Sequence, residues 1–250
     1  MKYNICVPIP VKSLNVSEIT PTIDKVINFN PNFIELRLDY ISDIQKITKD
    51  FIVNLINRIQ PKIPVICTLR DISEGGKNEI DDNERLQIIK SLIESEPRYL
   101  DVEINTESNM LSEIISLASQ HEVTLIFSFH DFEKTPTYAD AIKILEDTFK
   151  KFKNKLLIDQ KTIEKCIFKL IFTAQTFEDN LVPLELCKTK SSKKLRLISF
   201  CMGDLGLFSR ILCIFSNSFL TYSSYSEKTA PGQININTLR NILKLLNFRT

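Results

Sequence analysis

One lysine interrupts the apolar run Cys166-Ile167-Phe168-Lys169-Leu170-Ile171-Phe172-Thr173. Alternation along a strand puts Lys169 on one face with Ile167, Ile171 and Thr173, and a strand buried on both sides leaves an amine there without water. Desolvation favours the neutral amine, the form that attacks a carbonyl carbon, so the chemistry on offer is an imine to a ketone or aldehyde. The run also fits an ordinary strand lysine whose stem packs and whose head reaches water. Other polar residues stand in strand-like runs. Glu35 and Arg37 are two residues apart on one face, suited either to pair with each other or to grip hydroxyls. Arg70 ends a run and is followed by Asp71-Ile72-Ser73-Glu74-Gly75-Gly76. Ser128-Phe129-His130-Asp131-Phe132 ends another, with His130 on the face of Thr124, Ile126 and Ser128. An imidazole at such a mouth can carry protons near neutral pH, or serve as a hydrogen-bonded structural group. His121, the other histidine, ends a helical stretch and suits a C-terminal dipole role.

These residues need a scaffold that brings strand ends together. Residues 3–7 read as a short strand, and 16–29 have helical spacing at Ile19, Ile23, Val26 and Ile27. The pairing repeats, with strand-like runs at 33–38, 64–70, 99–104, 123–130, 166–173, 195–202 and 218–222. Amphipathic stretches lie near 45–59, 84–96, 109–121, 137–152, 177–188, 204–216 and 236–247. Thr135-Pro136 looks like an N-cap followed by a first-turn proline. Strict alternation means parallel βα units, and a repeat of roughly thirty residues fits a closed eightfold barrel better than an open sheet. The expected fold is therefore α/β, a (β/α)8 barrel of the TIM type, in one catalytic domain over residues 1–250 with no linker dividing it. Active sites in such barrels lie at the carboxyl ends of the strands.

Composition narrows the partners. A chain of 250 residues, 43% hydrophobic and 25% charged, can bury a large core. A net charge of +1 with interspersed signs points to a small molecule rather than nucleic acid or a membrane surface. The one basic run, 188–196, reads as a solvated loop. The six cysteines lack ligand spacing and sit in apolar runs, so reduced core thiols, a cytoplasmic location and no metal are expected. The five glycines, Gly75, Gly76, Gly203, Gly206 and Gly232, all fall in loops after the third, seventh and eighth strands, where backbone turns sharply or approaches a ligand. No GxGxxG or GxxxxGK cradle occurs, so no nucleotide cofactor is proposed. The stretch 205–222 is broken by Ser209, Arg210, Ser216, Asn217 and Ser218, and no segment is expected to span a membrane.

Taken together the motifs resemble type I 3-dehydroquinase. They are Glu35-Leu36-Arg37-Leu38-Asp39, Arg70 with Glu74-Gly75-Gly76, Ser128 through Asp131-Phe132 to Thr135-Pro136, Lys169 with Gln175, Met202 through Gly206 to Ser209-Arg210, and Ala230-Pro231-Gly232-Gln233-Ile234. They follow the family's order over nearly the whole chain, and the last loop with the in-strand lysine is the most specific pair. The resemblance implies dehydration of 3-dehydroquinate to 3-dehydroshikimate in the shikimate pathway. It implies Lys169 as the imine-forming residue, His130 as the proton carrier, and Glu74 as its orienting or charge-balancing partner. Arg210 and Gln233 would hold the substrate carboxylate, and Glu35, Arg37 and Arg70 the ring hydroxyls. Thr229 stands where the family commonly has serine; it keeps the hydroxyl for substrate contact and adds a methyl, which alters how the loop closes.

The expected partner is the small molecule alone, with a homodimer as the one assembly admitted. Any N-terminal hairpin is expected to be short or absent, and no fused shikimate dehydrogenase is expected. Two other readings share the features. A class I aldolase-like Schiff-base lyase would call for a phosphate-binding glycine loop after strands seven and eight, and Gly203 to Gly206 is a weak one. A non-catalytic sugar-acid-binding barrel would need neither His130 nor Lys169.

Overall fold

Apolar spacing becomes helix where a polar residue is placed to satisfy the first free amides. In the computed structural model, which describes residues 3–191 and 195–246, Asn15 caps α1 (Val16–Asn28), Thr48 caps α2 (Lys49–Ile59) and Asp81 caps α3 (Asp82–Glu94). The helix α4 (Ser108–Gln120) follows. Thr137, rather than Thr135, caps α5 (Tyr138–Lys150) by accepting the Asp140 N–H. Thr135 is otherwise engaged, its hydroxyl donating to Thr173 O at 2.9 Å. After α5 the chain passes through a π-helical turn, Lys151–Lys155, into an unanticipated short helix α6 (Gln160–Lys165), capped by Asp159. The remaining helices are α7 (Leu181–Ser191), α8 (Leu207–Leu212) and α9 (Ile236–Leu245).

The helices alternate with strands β1 (Ile5–Pro10), β2 (Phe33–Arg37), β3 (Val65–Thr68), β4 (Tyr99–Glu103), β5 (Thr124–His130), β6 (Ile167–Thr173), β7 (Leu197–Met202) and β8 (Thr221–Tyr222). Strand neighbours follow chain order from β1 to β7, and β8 lies on the other side of β1. The expected strand over 218–222 is shorter, with β8 confined to Thr221–Tyr222. Ahead of it the Ser218 hydroxyl donates to Leu220 O and accepts the Ser199 N–H, and the Phe219 N–H donates to Leu197 O at 2.7 Å.

The chain divides into two compact units, Pro8–Phe127 and Met1–Val7 with Ser128–Thr250, the division passing through β1 and β5. In the first unit β2 and β3 run parallel with Glu35 opposite Ile66 and Arg37 opposite Thr68, and β3 and β4 with Thr68 opposite Asp101. Ile23, Leu55, Leu92 and Leu111 bury the inner faces of α1 to α4. In the second unit β6 and β7 pair with Lys169 opposite Ile198 and Ile171 opposite Phe200, and Ile5 and Cys6 of β1 pair with Thr221 and Tyr222.

The basic run does not form the expected loop throughout. Residues 188–191 complete α7, and Lys190 is buried. Residues 192–194 of the run lie outside the described residues. All six cysteines are free and buried. Among the described residues, no helix is long and apolar enough to cross a membrane.

Candidate active site

The second unit holds the lysine. Both faces of β6 are buried, and Lys169 is 5% exposed. Its Nζ stands 4.9 Å from the ring centre of Tyr222 on β8. Tyr222 in turn lies 6.2 Å from Phe200 of β7, and the guanidinium of Arg210 sits 4.4 Å above the Phe200 ring. An aromatic pair thus carries an amine at one end and a guanidinium at the other.

Arg210 is held there by a short helix tied on three sides. The Ser209 hydroxyl accepts the Cys201 N–H at 2.9 Å, Asn180 Oδ1 accepts the Ser209 N–H at 2.9 Å, and the Thr221 hydroxyl donates to Arg210 O at 2.6 Å. Arg210 is 1% exposed, and its Nη2 donates to Pro231 O at 3.0 Å. Its Nε is buried without a hydrogen-bond partner, and no carboxylate among the described residues pairs with it. Burial pulls the guanidinium down to about 10. A cation–π contact returns about 0.5–2 kcal/mol, short of the several kcal/mol that burying an unpaired ion costs.

Pro231 belongs to the loop read as specific in the sequence. Within it Gln233 Oε1 accepts the Thr229 N–H at 2.9 Å, and Gln233 Nε2 donates to the Thr229 hydroxyl at 3.1 Å. The residue 229 hydroxyl is therefore a hydrogen-bond partner of Gln233. Gly232 has φ +74°, and a Cβ there would lie 2.4 Å from Gly203 O. Only glycine lets the two loops meet backbone to backbone.

His130 ends β5, half-buried, and the loop after it is stitched to the end of β6. Asp131 N–H donates to Ile171 O at 2.9 Å, the Thr173 hydroxyl donates to Asp131 O at 2.8 Å, and Gln175 Nε2 donates to Glu133 O at 2.6 Å. Asp131 Oδ1 accepts the N–H groups of Glu133 and Lys134, closing a tight turn. Much of this motif serves to fix the histidine's backbone.

The first unit holds the remaining candidates. Glu35 and Arg37 do not pair side by side as one option anticipated. The single turn Leu38–Tyr40 returns the Asp39 carboxylate to Arg37, which donates from Nε and Nη2 at 2.8 Å each. A bidentate fork outcompetes a neighbour one pleat away. Burial works against the Arg37 charge, but the bonded Asp39 and then Glu35 more than offset it and raise its pKa. Glu35 instead accepts the Thr68 hydroxyl at 2.7 Å. Arg70 donates to Glu103 at 2.6 Å and to Asp101 at 2.8 Å. Burial opposes its charge too, yet Asp101, Glu103, Glu74 and Glu35 hold it well above the ordinary arginine value. Glu74 is buried in the turn Ile72–Glu74 and, with Asp71, Arg85, Glu103 and Thr106, lines a cavity of about 280 Å³.

Sequence reading passed over Asp101, Glu103, Arg85 and Thr68. Asp101 and Glu103 carry the same signal that marked Glu35 and Arg37, charges two apart in a parallel strand. Tyr222 and Phe200 carry no such signal, being indistinguishable from core aromatics. Among the described residues no group of three or more His, Cys, Asp or Glu is arranged to hold a metal.

The model of the type I 3-dehydroquinase family matches residues 5–249. The chain belongs to this family. Membership carries the reaction with it, the Schiff-base-dependent dehydration of 3-dehydroquinate in the shikimate pathway. The 3-dehydroquinate dehydratase of Methanococcus maripaludis is 31% identical over 247 residues, 97% of this chain and 100% of that one. The crystal structure of 3-dehydroquinate dehydratase from Geobacillus kaustophilus superposes with a TM-score of 0.83 at 24% identity, covering 98% of this chain and 91% of that one. The type I dehydratase of Clostridium difficile with covalently modified comenic acid gives 0.80 at 26%, covering 98% and 92%. The fold is the (β/α)8 barrel of these type I 3-dehydroquinases.

Proposed function

We propose that Lys169 forms the imine and that Arg210 takes the substrate carboxylate. The observation that carries this is the Phe200–Tyr222 aromatic pair, with a buried amine over one ring and over the other a buried guanidinium that no carboxylate among the described residues pairs with. The amine adds to the ring ketone of 3-dehydroquinate and water leaves, giving an iminium. That cation acidifies the neighbouring C–H; His130 takes the proton, and the electron pair of the resulting enamine expels the β-hydroxyl, which leaves as water with a proton returned by His130. Hydrolysis of the imine then frees 3-dehydroshikimate and the lysine. Glu74 would supply the negative charge that the protonated base requires. Glu35, Arg37 and Arg70 would bind ring hydroxyls, and Gln233 with Thr229 would close on the carboxylate end. The reading needs only the small molecule as partner, and free buried cysteines support a cytoplasmic location.

Borohydride added with 3-dehydroquinate is expected to reduce the iminium and leave a covalent adduct on the peptide containing Lys169, read by mass spectrometry. An adduct elsewhere, or none while turnover continues, contradicts the assignment.

Gly232→Ala probes the loop. A left-handed backbone costs an L-residue about 1–2 kcal/mol, and the added methyl would also displace Gly203, so KM should rise roughly tenfold or more with kcat less affected. Steady-state kinetics with an unchanged KM would show that this loop geometry is not used in binding.

A further inference from the structure

We infer that Arg85 and Glu103 are positioning residues for Arg70, an inference that rests on the reading of Arg70 as a substrate-binding group. The three form a buried chain of charge within residues 8–127. Arg70 is pinned at both ends of its fork, Nη1 on Glu103 Oε1 and Nη2 on Asp101 Oδ1. Glu103 is engaged at both oxygens: Oε1 also accepts the Asp71 N–H at 3.1 Å, and Oε2 accepts from Nη2 of Arg85. Arg85 comes from α3, donates to Leu69 O at 3.1 Å, and faces the Asp71 carboxylate with Nε at 3.8 Å. It therefore grips the residues on either side of Arg70 as well as the carboxylate that Arg70 uses. Gly76 keeps this loop compact: its N–H reaches Asp71 O at 2.8 Å, and a Cβ there would lie 2.1 Å from Arg70 O.

The charge count explains why a second arginine is present. One guanidinium between two buried carboxylates leaves an excess negative charge, which would repel an anionic substrate and draw Arg70 away from it. Arg85 reduces that excess, to which Glu74 and Glu35 also contribute, while leaving Arg70 its orientation. A wholly structural role accounts less well for this arrangement, because buried ion networks add little stability over apolar residues that fill the same volume. A fixed orientation is what such a network supplies and packing does not.

The test is a kinetic cycle with Arg70→Lys, Arg85→Lys and the double variant. Lysine keeps each charge and loses the fork. Arg85→Lys is expected to raise KM for 3-dehydroquinate by about tenfold, the effect of one charge-assisted hydrogen bond, with kcat within about twofold. Borohydride trapping at saturating substrate should be retained. Because Arg85 acts through Arg70, the double variant should have a KM no higher than that of Arg70→Lys. An unchanged KM in Arg85→Lys while Arg70→Lys raises it, or multiplicative effects in the double variant, overturns the positioning role. An unchanged KM in Arg70→Lys overturns the assignment of Arg70, and the inference with it. If Arg85→Lys fails to fold, Glu103→Asp keeps the charge, shortens the reach to both arginines and gives the same readout.

Discussion

Lys169→Ala is expected to lower kcat by at least about four orders of magnitude, since no other group can supply the iminium that acidifies the substrate C–H. The substitution removes the covalent step and leaves Arg210, with its buried guanidinium over Phe200, in place. Substrate or product should therefore still bind, measurable by calorimetry, while borohydride leaves no adduct on the protein. The unfolding midpoint is the control. An amine buried in β6 costs desolvation that alanine does not, and the cavity left by the lysine stem opposes that gain, so a large fall in Tm is not expected. Turnover within about a hundredfold of the parent chain would mean that dehydration proceeds without this amine, and the assignment would fail.

His130→Ala has the second largest expected effect, a loss of about 10²–10⁴ in kcat, the usual contribution of a positioned acid–base group. KM should move little, because the carboxylate and hydroxyl contacts are assigned to other residues. Two features make the substitution clean. The backbone of the loop is held by bonds from Asp131, Thr173 and Gln175, and the side chain is half-buried. Adduct formation at Lys169 should outlast turnover in this variant, since the amine remains. Near-normal rates across the pH range would remove His130 from the mechanism.

Lys169 was legible because it breaks a rule: parallel strands are buried on both faces, and an ionisable residue inside one has to be explained. Glu35 and Arg37 were legible for the same reason. Asp101 and Glu103 carry the same signature and were passed over, although they hold Arg70. Element types came through well and ends less so. The π-helical turn at Lys151–Lys155 and α6 follow from the local path between α5 and β6, which apolar periodicity does not record. β8 spans only Thr221–Tyr222 of the expected 218–222, an end that apolar alternation does not mark.

By itself the sequence determined the alternation of strand and helix, the family, and the kinds of chemical group available to a carbonyl-bearing acid. These follow from periodicity and from motifs whose residues are close in the chain. Only the tertiary structure decided which group holds which. It gave Arg37 to Asp39 and not to Glu35, bound Arg70 to carboxylates on a neighbouring strand, and left Arg210 over Phe200 with no carboxylate partner among the described residues. Such choices turn on distance and desolvation between side chains far apart in sequence, quantities set when strands and loops pack. The lysine could be read from its run; the aromatic pair that supports it became visible only when β7 and β8 were in place.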